Sequence, residues 1–181
     1  HIITNDHVTK IFKSVQVEHA GETLQAKILT YDEPNDLALL KTNNNPEVAF
    51  PLSNEALYLT QEITAAGYPL LSTLGRTLKV TGGMVSALNG LRNDFSTFQT
   101  DAAIQPGNSG GPFFDKKGNV VGVVVAKLKD KYKAENVGFG IKVSNIRNLI
   151  NSYGVVLLNP NTDTVDARKF SESMTKGTVL L

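Results

Sequence analysis

Apolar residues fall in short runs, many of them alternating with polar ones, from the start of the chain to about residue 143. The runs are "SVQVEHA" at 14–20, "LQAKILTY" at 24–31, "LALLK" at 37–41, "EITAAGY" at 62–68, "LKVTGGMVSAL" at 78–88, "NVVGVVVAKL" at 119–128 and "NVGFGIKV" at 136–143. They are rich in Val, Ile and Thr and are cut apart by Gly, Pro, Asn and Asp at short spacing, which predicts antiparallel strands in a sandwich or barrel. The opening "HIIT" has the same strand character and runs into a polar turn in "TNDHV". After residue 143 the period changes. Ile146, Leu149, Ile150 and Tyr153 recur at i, i+3, i+4 and i+7, with Ser144 placed to cap and Gly154 just past the end, so a helix is predicted over 144–153. A weaker helical pattern covers about 163–175.

The strands divide around a break at "LSTLGR", residues 71–76. The expected fold is all-β: two antiparallel Greek-key barrels with a functional site in the cleft between them, plus the helix at 144–153. The expected divisions are an N-terminal barrel over 1–72, a C-terminal barrel with its helix over 73–153, and a C-terminal extension over 154–181.

Composition narrows the chemistry mostly by exclusion. A chain of 181 residues, 41% hydrophobic, is long enough to bury a sizeable core. Eighteen basic residues against seventeen acidic leave a formal charge of +1, so nucleic acid and anionic membranes are not called for as partners. The cluster "KLKDKYKAEN" at 127–136 mixes signs and reads as a solvated loop. No apolar run approaches the roughly 20 residues that span a bilayer. Cysteine is absent, which removes disulfides, thiolate metal sites and a cysteine nucleophile. No metal or cofactor is expected. The chain opens without Met and reads as the interior of a longer product.

The candidate chemistry lies in "QTDAAIQPGNSGGPFFD", residues 99–115, where Ser109 sits on a bend framed by Gly107, Gly110 and Gly111 and by Pro106 and Pro112. A polar surface turn has the same composition, so the reading depends on partners elsewhere. A serine nucleophile needs a base and a group that orients the base. The three histidines, His1, His7 and His19, all precede Ser109. "GNSGG" fits the nucleophile elbow of α/β-hydrolases, but that architecture places its histidine after the serine. The subtilisin order needs an aspartate ahead of the histidine, and for His7 only the adjoining Asp6 is available. A His–Asp–Ser order survives. His7 follows the strand-like opening, whereas His1 is terminal and His19 adjoins a hairpin turn. Among the aspartates between His7 and Ser109, Asp36 alone opens a fully apolar run, where a carboxylate needs a hydrogen-bond donor such as an imidazole N–H.

"TNDHV", "NDLALLK", "GYP", "VTGGMVSAL", "QTDAAIQPGNSGGPFFD", "GNVVGVVVA" and "GFGIKVSNIRNLI" together resemble the chymotrypsin-like serine proteases, most closely their bacterial Deg/HtrA-type branch. That resemblance runs from residue 2 to about 150. It implies His7 as general base, Asp36 as its orienting acid and Ser109 as nucleophile, with an oxyanion hole on the bend Gly107, Asn108 and Ser109. It also implies a primary pocket with Ala103, Ile104 and Gln105 at its base and walls from Val125, Ala126 and Lys127 and from Gly138 to Gly140. No carboxylate stands at the base, so cleavage after small or medium aliphatic residues is expected; Asp101 is the one rival.

By the same resemblance the partners are polypeptides, unfolded proteins among them, a homo-oligomer is admissible, and the location is periplasmic or secreted. Relatives carry two more strands ahead of the histidine, so the first barrel is expected to lack its N-terminal strands in this chain. Residues 154–181 are too few for the peptide-binding domain that often follows in this branch. The expected function is a serine endopeptidase whose activity rises as His7 loses its proton. The alternatives are a catalytically weak, protease-like peptide-binding or chaperone module, and an esterase using the same residues.

Overall fold

The computed structural model describes residues 1–10, 12, 14–19, 21–43, 47–126 and 136–181. The first half begins with β1 (Ile2–Thr4) and the single turn α1 (Asp6–Thr9), followed by β2 (Val15–His19), β3 (Glu22–Asp32) and β4 (Leu37–Thr42). These strands form one antiparallel sheet in the order β1-β4-β3-β2. The second half has β5 (Glu62–Gly67), the single turn α2 (Leu71–Leu74), β6 (Lys79–Ala87), β7 (Thr97–Thr100), β8 (Pro112–Phe114), β9 (Val120–Val125) and β10 (Gly138–Lys142). They close into a barrel in the order β10-β7-β6-β5-β8-β9. The all-β expectation thus holds, as one closed barrel and one open, curled sheet.

The unbroken apolar run of β4 has a physical cause. Ala38 and Leu40 pack with Val15, Val17 and Ala26 inside the first sheet, while Leu37 and Leu39 face the other way, onto Phe114, Val123 and Ile141 of the barrel. A strand buried on both faces loses the polar alternation of a half-exposed one. β9 behaves likewise. Its Val121 and Val124 fill the barrel with Phe98 and Phe113, whereas Val120 and Val123 join the cluster between the halves. These two strands bring the halves together and fix where a site between them can form.

Helix α3 (Val143–Asn151) buries Val143, Ile146, Leu149 and Ile150 in that shared cluster. It starts one residue before the sequence expectation, with Lys142 as the capping residue, so Ser144 lies in the first turn and makes no cap bond. Tyr153 lies beyond the helix and is exposed. Helix α4 (Ala167–Gly177) starts from Asp166, whose carboxylate accepts the Lys169 N–H at 3.0 Å. β7 and β8 were not foreseen, since four and three residues show no period, and β8 opens on a proline. β5 belongs to the closed barrel, so the chain changes halves before residue 62, ahead of the break read at 71–76.

The segment 154–181 packs on both halves. Phe170 stands edge-on to Phe114 at 5.1 Å between ring centres, and Met174 is buried in the shared cluster. Past α4, Leu180 pairs with Glu18 at the edge of β2 through two backbone hydrogen bonds of 2.8 and 3.1 Å. Val179 and Leu181 pack inside the first sheet.

Candidate active site

The turn over Glu33–Asp36 delivers Asp36 at the head of β4 with φ +53°, a left-handed conformation that aspartate tolerates better than most side chains. Three hydrogen bonds hold it there. Its N–H donates to the Glu33 carbonyl at 3.2 Å, and its own carbonyl accepts the Asp6 N–H at 3.2 Å and the side-chain amide of buried Asn5 at 3.0 Å. α1 is thereby seated on the end of β4, with His7 opposite the Asp36 carboxylate. The His7 backbone N–H donates to Asp36 Oδ1 at 2.9 Å, and ring Nδ1 meets Oδ2 at 2.6 Å. With both carboxylate oxygens on one residue the ring orientation is set, and a carboxylate facing Nδ1 calls for a proton on that nitrogen. The two side chains are 18% and 27% exposed, so the pair is shielded yet reachable.

Ser109 lies between β7 and β8 on a bend hung from β9. Gly110 N–H donates to the Val124 carbonyl at 3.0 Å, and Val124 N–H to the Gly111 carbonyl at 2.8 Å. Two glycines are required by position. Gly107 has φ +98°, and a Cβ there would lie 2.8 Å from the Tyr68 carbonyl oxygen. Gly110 has φ +83°, and a Cβ would meet Thr4 Oγ1 at 2.1 Å. The second contact crosses between the halves, because Thr4 ends β1, three residues before His7. Any side chain at 110 would push the serine bend away from the histidine strand.

The Asn108 N–H donates to the Gln105 carbonyl at 3.0 Å and so is used within the bend. Among the described residues the amides of Gly107 and Ser109 have no acceptor. Ser109 Oγ accepts the Ala126 N–H at 3.2 Å, and among the described residues no hydrogen bond joins it to His7. Because the hydroxyl acts as acceptor towards Ala126, its own proton remains available. His7 and Ser109 face one cavity of about 1130 Å³ that also runs into the first sheet past Ile2, Val17 and Leu39.

Of the expected primary-pocket residues, Ala126 alone among those described lines that cavity. Ala103 and Gln105 are exposed, while half-buried Ile104 lies over Gly138, where a Cβ would approach Ile104 Cγ1 to 2.7 Å. Gly140 serves the barrel core instead: a Cβ there would meet the rings of Phe98 at 2.4 Å and Phe113 at 2.8 Å. Val125 is half-buried at the end of β9, and Lys127 lies outside the described residues. Asp101 Oδ1 accepts the Met84 N–H at 2.6 Å, which ties that carboxylate to β6.

His19 Nε2 meets the Lys176 carbonyl at 2.5 Å. Burial raises the Tyr68 hydroxyl above its ordinary pKa, so it stays a donor, to the Thr178 carbonyl at 3.0 Å. Among the described residues no cluster of His, Cys, Asp and Glu is arranged to hold a metal ion. Nor is any helix among them long and apolar enough to cross a membrane. Asn5 went unread in the sequence although it stands inside "TNDHV"; an asparagine just ahead of a one-turn helix was the available signal.

Residues 1–123 match the profile of the trypsin-like peptidase domain. Uncharacterized protein y4bJ of Sinorhizobium fredii is 36% identical over 95% of this chain, which spans 29% of that protein. Serine protease Do-like HtrA of Lactococcus lactis is 32% identical over 83% of this chain, which spans 40% of that protein. The crystal structure of the serine endoprotease from Yersinia pestis superposes with a TM-score of 0.67 at 28% identity, over 83% of this chain and 52% of that one.

Proposed function

This chain belongs to the trypsin-like peptidase family, and on that premise we propose that it is a serine endopeptidase in which His7, Asp36 and Ser109 carry the chemistry. The observation that carries the reading is the clamp of the His7 imidazole and backbone by one carboxylate, 2.6 and 2.9 Å away, beside a cavity shared with Ser109. Ser109 Oγ attacks the scissile carbonyl carbon as its proton passes to His7 Nε2. The negative oxygen of the tetrahedral intermediate is received by the Gly107 and Ser109 amides, both unpaired among the described residues. As the C–N bond breaks, His7 returns that proton to the leaving amine and an acyl ester remains on Ser109. Water, deprotonated by His7, then releases the acid and restores the hydroxyl. Rotation of the Ser109 side chain away from Ala126 is the movement needed to begin.

An apolar pocket base with Ile104 over Gly138 and no carboxylate would favour small or medium aliphatic residues before the cleaved bond. The proposed substrates are polypeptides, unfolded chains among them, and the proposed location is the periplasm or outside the cell; likeness to a Do-like serine protease supports this reading. The proposed divisions are the first sheet, the barrel with α3, and the segment 154–181. Purified protein and Ser109→Ala, assayed on a library of peptide amides, test the reading: cleavage after Ala, Val or Leu by the parent alone supports it, and equal rates contradict it. The Ser109–Ala126 hydrogen bond favours a second reading, peptide binding without cleavage; it predicts saturable peptide binding by both proteins and no cut bond in either.

A further inference from the structure

One amide proposed to receive the oxyanion, that of Gly107, belongs to the Pro106–Gly107 peptide unit, and a peptide unit is rigid and planar. Whatever holds its carbonyl therefore aims its N–H. The Pro106 carbonyl accepts the Leu70 N–H at 3.1 Å. The same segment lies flat against Gly107, where an added Cβ would fall 2.8 Å from the Tyr68 carbonyl oxygen, 3.0 Å from Pro69 Cα and 3.3 Å from Leu70 N. The oxyanion donor thus rests on residues 68–70, at the entrance to the loop between β5 and β6.

Little apolar packing supports that loop. No residue of α2 is buried, and Leu70, Leu71 and Leu74 are all exposed. Leu70 itself adopts φ +49°, a conformation a leucine does not hold without support. The support is polar. Lys79, half-buried at the start of β6, reaches back with its ammonium to the carbonyls of Leu74 at 2.6 Å, Gly75 at 2.8 Å and Thr77 at 2.8 Å, and to Thr77 Oγ1 at 3.0 Å. Leu74 N–H in turn donates to the Leu70 carbonyl at 2.8 Å. One cation thereby closes the loop's far end onto its entrance. Arg76, in the same loop, pairs with Glu18 of β2.

From this chain of contacts we infer that Lys79 is a positioning residue for the oxyanion site: its ammonium gathers the carbonyls of Leu74, Gly75 and Thr77, which fixes α2 and Leu70, and Leu70 fixes the plane of the Pro106–Gly107 peptide. Lys79 touches neither substrate nor the reacting atoms. The inference rests on the endopeptidase reading for its kinetic consequence, but not for its structural one. Without the staple the Gly107 N–H is misaimed, which weakens the transition state more than the bound substrate.

The test compares Lys79→Met and Lys79→Arg with the parent by kcat and KM on one peptide amide, affinity for a peptide boronate that forms the tetrahedral adduct, and hydrogen exchange of the Leu70 amide. Lys79→Met is expected to lose kcat and boronate affinity together, about tenfold or more, with KM nearly unchanged and faster exchange at Leu70. Lys79→Arg, which keeps a cation and several donors, is expected to restore much of both. An unchanged kcat in Lys79→Met, a loss confined to KM, or unaltered Leu70 exchange would each overturn the assignment. If the parent cleaves no peptide, the endopeptidase reading fails while Leu70 exchange still decides whether Lys79 staples the loop. Melting temperatures of the three proteins separate a misaimed donor from global unfolding, which would move KM and every amide alike.

Discussion

Asp36 does two things at one position: it ends a turn in a left-handed conformation and turns both carboxylate oxygens towards His7. That His7 and Asp36 meet was legible because histidines are few and only one aspartate between His7 and Ser109 opens an apolar run. Asn5, which holds the Asp36 carbonyl, was not, since a side-chain amide in a polar turn looks the same whether it faces water or a buried carbonyl. Replacing Asp36 by Asn should leave the fold intact and lower kcat by about 10⁴-fold, because the amide can present the wrong hydrogen-bonding group to Nδ1; steady-state kinetics on a peptide amide check this. Gly110→Ala puts a methyl group 2.1 Å from Thr4 Oγ1 at φ +83°. It should cost at least about 1 kcal/mol of stability from backbone strain alone, read by urea denaturation, and lower activity by separating the two halves of the site.

At the scale of elements, the strands that could be read were those long enough to show a period or a β-branched run, such as β3 and β9. β7 and β8 take their strand state from partners across the barrel, a tertiary cause that four or three residues cannot display. The loop between β6 and β7 carries its own polar anchor. Burial pushes the Asp94 carboxyl up, but hydrogen bonds accepted from Ser96 and Thr97 and the charge of Lys142 outweigh it, so its pKa lies below the ordinary carboxylate value. A depressed carboxylate contributes stability that is present above its unfolded pKa and is lost as pH falls through the folded one. Exchange of the Ser96 amide, which donates to Asp94 Oδ1 at 2.9 Å, should therefore quicken below the ordinary carboxylate range relative to intrinsic rates. In Asp94→Asn that acid step should disappear.

Across the whole molecule, two strands buried on both faces and the C-terminal segment join the open sheet to the closed barrel. The segment 154–181 could not be assigned from its sequence: its weak helical pattern gave no target, and its anchors, Phe170, Met174 and Leu180, are far from their partners along the chain. Met174→Ala should lower the free energy of unfolding by about 2–3 kcal/mol, measured by urea denaturation, with barrel and sheet probes moving together because the lost contact lies in their shared cluster. Of everything proposed for this molecule, Ser109 as the acylated nucleophile is the central claim. Incubation with a fluorophosphonate, followed by mass spectrometry of the peptide spanning 99–115, tests it most directly. A single adduct on Ser109, absent from heat-unfolded protein and strongly slowed in His7→Ala, is the predicted result; folded protein that takes no label on Ser109, or takes it as fast without His7, would contradict it.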